Sequence, residues 1–213
     1  METEQSPESR ALSNWTAACR HFESVDPVLF SLSCSVSVPR ATEVRSAFES
    51  LSRAIIGQQL SVKAASTIWG RVLEYHGQSI SAQGVLETTE AQHRALGVSR
   101  QKHGYVCSLA EAYLQSPASF DDVAAWSDGD IITQWTRVKG LGRWTVQMHL
   151  MFQLERPDVF PVDDLGIRRA MEAHCGVPRD APKGAYEKRA LMWSPFRTAA
   201  CRVLWSSLDN QPK

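Results

Sequence analysis

The sequence predicts an all-α protein, and three observations carry that prediction. Apolar residues recur at i, i+3, i+4 and i+7 spacing along nearly the whole chain. Ser or Thr stands where the periodic segments begin, and Gly or Pro where they end. No stretch alternates with period two for long enough to build a sheet; the best strand candidate, VLFSLSCSVSV at 28–38, is isolated.

The elements follow in order. METEQSPESRALSNW is polar and acidic and reads as a frayed tail. EVRSAFESLSRAIIGQQ puts Val44, Phe48, Leu51, Ala54 and Ile55 on one helical face, and Gly57 ends or interrupts it. SVKAASTIWGRVLEYHG restarts behind Ser61 as N-cap and stops at Gly77. TTEAQHRALG carries the Thr89-x-x-Gln92 arrangement of a capping box and closes on Gly97. SRQKHGYVCSLAEAYLQSP runs from a Ser99 cap to Pro117. SDGDIITQWTRVKGLG and GRWTVQMHLMFQLERP form two helices joined by Gly140-Leu141-Gly142. VDDLGIRRAMEAHCG and AYEKRALMWSPFRTAACRVLWSSL supply the last two or three helices, with Pro195 starting the final one. The total is about ten helices.

A chain of 213 residues fits one large domain or two small lobes. Its 43% hydrophobic and 22% charged content is ordinary for a globular protein. With 23 basic and 23 acidic side chains the net charge is zero, so an anionic partner needs a local patch or backbone donors. The five cysteines (Cys19, Cys34, Cys107, Cys175, Cys201) are odd in number, scattered and never spaced C-x-x-C. This excludes a disulfide framework, a cysteine zinc site and a cysteine-held iron–sulfur cluster, and points to a reduced, intracellular protein. No apolar run reaches membrane-spanning length, and the start lacks a secretory layout. The histidines (His21, His76, His93, His103, His149, His174) show no ligand spacing and read as surface or core residues.

Two segments carry chemistry. Helices joined by Gly-x-Gly present loop N–H groups at the N-terminus of the second helix, where donors lack intrahelical partners and the helix dipole adds positive charge. Such a spot holds phosphate; the plainer alternative is an αα-corner that needs glycine for its turn. Lys139 and Arg143 add charge at its rim. Further on, VFPVDDLGIRRAM places Asp163 and Asp164 at the start of an amphipathic helix, where a carboxylate serves equally as cap or as reagent.

Taken together, VKGLGRWT…DVFPVDDLGIRRAM resembles the helix-hairpin-helix, Gly/Pro-rich loop and aspartate signature of the HhH-GPD superfamily of base-excision DNA glycosylases. RAIIGQQLSVKAASTIWGRV and WSPFRTAACRVLW resemble its 3-methyladenine DNA glycosylase II (AlkA) branch. The resemblance spans roughly residues 44–207. It implies two helical lobes with a DNA-binding cleft between them. Residues 1–40 would be a tail and first helix or helices packed on a core of 41–213, a compact form without the branch's N-terminal β domain. The implied activity is monofunctional: flipping and hydrolytic excision of alkylated purines from double-stranded DNA, by a monomer in the cytoplasm, nucleoid or nucleus. The alternatives are a glycosylase for oxidised, deaminated or mismatched bases, or a non-catalytic hairpin module.

Site roles follow residue by residue. Asp164 fits the family's D-x-x-[IVM] frame with Ile167 and is the expected catalytic carboxylate, leaving Asp163 as the cap. Bifunctional relatives carry a lysine where this chain has Trp144, so no strand-nicking is expected. Gly140, Gly142 and Thr145 match amides that donate to a DNA phosphate, beside Lys139 and Arg143. The carbonyls of Thr136, Val138 and Leu141 match positions that hold a structural Na+ or K+, although Lys139 replaces the family's usual proline. No other cofactor is required, and no iron–sulfur cluster is expected. Gln58, Gln59 and Leu60 occupy the loop that fills the gap left by a flipped nucleotide; Gln59 aligns with the wedge, and Leu60 is the nearest large apolar side chain. Trp144 and Trp205, with Met148, match the base pocket, whereas Trp69, Trp126, Trp135 and Trp193 read as core.

Overall fold

A computed structural model describes residues 7–37 and 45–209, and among them every regular element is helical. The chain divides into two compact units, one made of residues 1–43 with 155–213 and the other of residues 44–154. No helix among the described residues is long and apolar enough to cross a membrane.

The first unit begins with α1 (Pro7–Val25) and α2 (Pro27–Ser33). The expected frayed tail is therefore corrected from residue 7 onward: Trp15, Ala18 and Phe22 are buried, and that apolar stripe draws the polar segment into a helix. Residues 1–6 lie outside the described residues. The isolated strand candidate at 28–38 is helical over its first part. Asp26 accepts the Leu29 N–H at 3.2 Å and Pro27 follows it, a start that commits the chain to helix; residues 34–37 turn, and residue 38 lies outside the described residues.

The second unit holds α3 (Ala47–Gly57), α4 (Val62–Tyr75), α5 (Ala82–Glu87), α6 (Glu90–Ala95), α7 (Arg100–Gln115), α8 (Ala118–Asp121), α9 (Asp128–Trp135) and α10 (Arg143–Phe152). The expected caps form at Ser61 and Ser99, and Thr89 with Gln92 makes a complete capping box. Glu43 and Val44 of the expected first core helix lie outside the described residues, and Ser46 caps it instead. Its buried face, Phe48, Leu51, Ile55 and Ile56, packs against α7 and α10. Of the tryptophans read as core here, Trp69 and Trp135 are buried; Trp126 is only half-buried, because it sits in the short turn before α9.

The chain then returns to the first unit with α11 (Leu165–His174), α12 (Lys183–Ala190), a 3-10 turn (Leu191–Trp193) and α13 (Arg197–Asp209). Helix α13 packs on α11 and α2. Buried Asp26 accepts both the Trp193 indole N–H and the Arg189 guanidinium at 2.7 Å, tying this segment to α2. The described chain has thirteen α-helices, three more than periodicity suggested, because short ones such as α5 and α8 carry too few residues to show a period.

Candidate functional site

In the unit of residues 44–154, the hairpin is built on a buried anchor. Trp135 stacks on Phe120 and donates its indole N–H to the Ser119 carbonyl at 2.9 Å, fixing the end of α9. The Leu141 N–H then donates to the Val138 carbonyl at 3.1 Å across a turn in which Gly140 has φ +99°. A positive φ at that position is what a type II turn demands; Lys139 occupies the position where proline is favoured, and the turn closes without it. Gly140 is required twice, since a Cβ there would lie 2.5 Å from Cβ and Cγ of Tyr105. Leu141 is buried and pins the loop.

Gly142 differs. It is the N-cap of α10 with ordinary extended backbone (φ −78°, ψ 159°), and a Cβ there would meet nothing within 4 Å. No side chain caps α10, so its first-turn amides stand at an exposed helix start beside Lys139 and Arg143. Lys139 and Arg100 border a shallow depression floored by Gly104 and Tyr105, a local basic patch on a neutral chain.

The expected wedge loop is joined to the hairpin. The Gln58 side-chain amide donates to the Gly140 carbonyl at 3.0 Å and to the Thr145 hydroxyl at 3.3 Å. Gln58 is thus spent on holding the hairpin, while Gln59 and Leu60 stand exposed at the tip. Gln59 has φ +59°, uncommon for a residue with a side chain and costing about 1–2 kcal/mol. Below the loop, the Lys102 ammonium donates to the Ile56 carbonyl at 2.8 Å; burial pushes the pKa of this lysine down.

On α10, Trp144 is 45% exposed and Met148 half-buried, whereas Val146, Leu150 and Met151 face the core. His149 is buried, its Nδ1 3.1 Å from the Ser50 hydroxyl and its ring edge-on to Trp135; burial pushes its imidazole down to about 4.

The other unit carries the aspartates. The approach VFPVD is clamped to the start of α13: the Arg197 guanidinium donates to both Asp158 oxygens at 2.7 and 2.8 Å, Ser194 donates to Asp158 at 2.7 Å, and the Val159 N–H donates to the Thr198 hydroxyl at 3.1 Å. Asp164 then ends the loop as the N-cap of α11, its Oδ1 accepting the Ile167 N–H at 2.9 Å. The cap expected at Asp163 is corrected: Asp163 pairs with Lys183 at 2.6 Å, because the chain enters α11 one residue later. Asp164 Oδ1 also accepts the Trp205 indole N–H at 3.0 Å, from α13.

Sequence reasoning passed over Tyr105 and Lys102, three residues apart on α7, which back the hairpin and the wedge loop respectively. Their spacing is that of any helix face, and no local signal distinguishes them. It also passed over Asp158 and Arg197, separated by 39 positions. The histidines are not all isolated either: His93 and His103 bring their Nδ1 atoms within 2.7 Å. Among the described residues, however, no group of three or more His, Cys, Asp or Glu is placed to hold a metal ion.

The family model described as HhH-GPD superfamily base excision DNA repair protein matches residues 52–195, from α3 through both the hairpin and the aspartates. The chain belongs to this superfamily. Among relatives of this HhH-GPD chain is DNA-3-methyladenine glycosylase 1 of Schizosaccharomyces pombe, 35% identical over 172 residues that cover 79% of this chain and 75% of the relative. A solved S. pombe 3-methyladenine DNA glycosylase in complex with abasic DNA superposes with a TM-score of 0.79 at 32% identity, covering 92% of this chain and all of that one. A DNA-3-methyladenine glycosidase from Bacillus halodurans also gives 0.79, at 28% identity over 91% of this chain and 89% of that one.

Proposed function

We propose that this HhH-GPD chain is a monofunctional DNA glycosylase that excises alkylated purines, of the 3-methyladenine and 7-methylguanine type, from double-stranded DNA in base excision repair. The observation that carries the reading is Asp164, a carboxylate held at the head of α11 by donors from two helices, in a chain whose relatives are named for this activity. Breaking the glycosidic bond sends the bonding pair to the departing base and leaves positive charge on the sugar. A fixed carboxylate stabilises that charge and takes the proton of the water that adds at C1′. A cationic N3- or N7-alkylated purine departs as a neutral base and needs no acid.

The remaining roles are assigned on the same reading. The first-turn amides of α10, from Gly142 to Thr145, and the Gly140 turn hold a phosphate by backbone donors, with Lys139 and Arg143 adding charge. Backbone carbonyls are the neutral oxygen donors a hard cation takes, and Thr136, Val138 and Leu141 offer them along one turn, where Na+ or K+ would screen the phosphate. Gln59 or Leu60, exposed at the loop tip, fills the gap left by the flipped nucleotide; flipping costs a few kcal/mol. Exposed Trp144 with Met148 beside it offers the departing base an aromatic face, worth about 0.5–2 kcal/mol to a cation. With Trp144 where bifunctional relatives carry a lysine, the chain has no amine there to form a Schiff base, and the strand stays intact.

The test is Asp164→Asn. Abasic-site formation on a duplex carrying 7-methylguanine should fall by on the order of 10² or more, while affinity for an abasic duplex persists. Undiminished excision removes Asp164 from the chemistry. Release of 8-oxoguanine in preference to alkylated purines, or strand cleavage without added base, replaces the alkylpurine reading by another glycosylase class.

A further inference from the structure

We infer that Trp205 is a positioning residue for Asp164, acting through its indole N–H, and that Gly166 is the gap which lets it do so. The inference rests on the glycosylase reading and adds to it a residue that sets the geometry of the carboxylate.

A helix N-cap needs only one anchor, the amide three residues on, as at Ser46, Ser61 and Ser99; the one other carboxylate cap described above, Asp26, is further held by Trp193 and Arg189 and is itself buried. A singly anchored cap leaves the side chain free to swing about that single bond. Asp164 Oδ1 has a second anchor from a different helix: the Ile167 N–H donates at 2.9 Å and Trp205 Nε1–H at 3.0 Å. Trp205 lies 41 positions further along the chain, on α13, and α13 is itself fixed to the same loop by Arg197 and Asp158. Two donors on two rigid elements determine where Oδ1 sits, as a preorganised electrostatic site requires.

The approach of the indole depends on a missing side chain. A Cβ at Gly166 would lie 3.1 Å from Asp164 Oδ1 and 3.2 Å from Cδ1 of Trp205, tighter than ordinary van der Waals contact to both partners at once. Gly166 is the second residue of α11, where alanine would otherwise suit the helix better. Helix propensity alone therefore argues against glycine here, and the Asp164–Trp205 contact supplies the reason for it.

Two variants test this. Trp205→Phe keeps an aromatic face and removes the donor; Gly166→Ala keeps the indole and pushes it off the carboxylate. Both are measured by single-turnover excision of 7-methylguanine, by affinity for an abasic duplex, by thermal melting, and by the indole 1H–15N resonance of Trp205. Each variant should excise about 10- to 100-fold more slowly, the factor a hydrogen bond to a charged group is worth. Duplex affinity should stay within about twofold, because the contact orients the carboxylate and does not hold DNA. Gly166→Ala should still melt cooperatively within several degrees of the wild type, the helix gain of alanine offsetting part of the lost contact, while its indole resonance moves. A rate loss below about threefold in either variant, or a matching loss of duplex affinity, overturns the assignment. A wild-type protein that releases no base from any alkylated duplex instead overturns the glycosylase reading, and the resonance shift then still reports whether the contact exists.

Discussion

Replacing each hairpin glycine by alanine separates what the fold requires from what a bound phosphate requires. At Gly140 the backbone has φ +99°, and a Cβ would fall 2.5 Å from the Tyr105 side chain. A left-handed backbone costs an L-residue about 1–2 kcal/mol, and forcing the Tyr105 ring aside adds about 1–3 kcal/mol. Gly140→Ala should therefore lose about 2–5 kcal/mol, a fall in Tm of roughly 5–15 °C for a chain of this size. At Gly142 the backbone is ordinary and the Cβ position is open. The roughly 0.5–1 kcal/mol lost by putting alanine in place of glycine at an N-cap is about offset by the gain from a less flexible unfolded chain, so Gly142→Ala should melt within about 2 °C of the wild type. On the proposed reading its methyl group would crowd a phosphate oxygen approaching the first amides of α10. Losing one charge-assisted hydrogen bond costs about 1.5–3 kcal/mol, or about 10- to 100-fold in Kd. Differential scanning fluorimetry and fluorescence anisotropy on an abasic duplex at fixed salt read the two effects separately. If Gly142→Ala binds as tightly as the wild type, the amides of α10 do not hold the phosphate. If Gly140→Ala melts unchanged, the contact with Tyr105 is wrong.

The other predictions concern the same unit. Burial pushes both His149 and His93 down to about 4, with the neighbouring His103 and His76 adding to the effect at His93. Both imidazoles are therefore neutral in the fold and charge in the unfolded chain near the ordinary value of about 6.5. Their contribution is complete above that pH and is lost as pH falls toward 4, roughly 2 kcal/mol for each by pH 5. Urea midpoints at pH 7 and pH 5 measure it, and His149→Gln should reduce the difference; equal midpoints refute the burial argument. Gln58→Ala removes the bonds to Gly140 and Thr145. It should lower stability by about 1–2 kcal/mol and weaken abasic-duplex binding several-fold, although Gln58 points away from the exposed loop tip. A variant that keeps wild-type affinity would show that the wedge loop and hairpin work independently.

Much of this could be read along the chain, because its physical cause is local. Helical period, the Ser and Thr caps and the glycines of the hairpin each act within four residues, and each appears in the structure where the sequence put it. Errors arose where two local rules competed. The segment at 28–33 carries β-branched and aromatic residues, yet Asp26 and Pro27 start a helix there, since a capped start outweighs a weak strand propensity with no partner strand. Asp163 and Asp164 are equivalent as cap candidates in sequence, and only the point of entry into α11 separated them.

What the sequence by itself determined was the class of fold, the order of its helices and the identity of the residues at the hairpin and the aspartate. What only the tertiary structure decided was which of those residues support one another. Tyr105 behind Gly140, Gln58 on the hairpin and Trp205 on Asp164 join positions 35, 82 and 41 apart, as counted from 105 to 140 and from the two hydrogen bonds. The physical reason is that caps and turns are satisfied within a few bonds of their own backbone. A donor that must meet a particular oxygen from another helix is placed by the packing of the whole unit, and packing leaves no period in the chain.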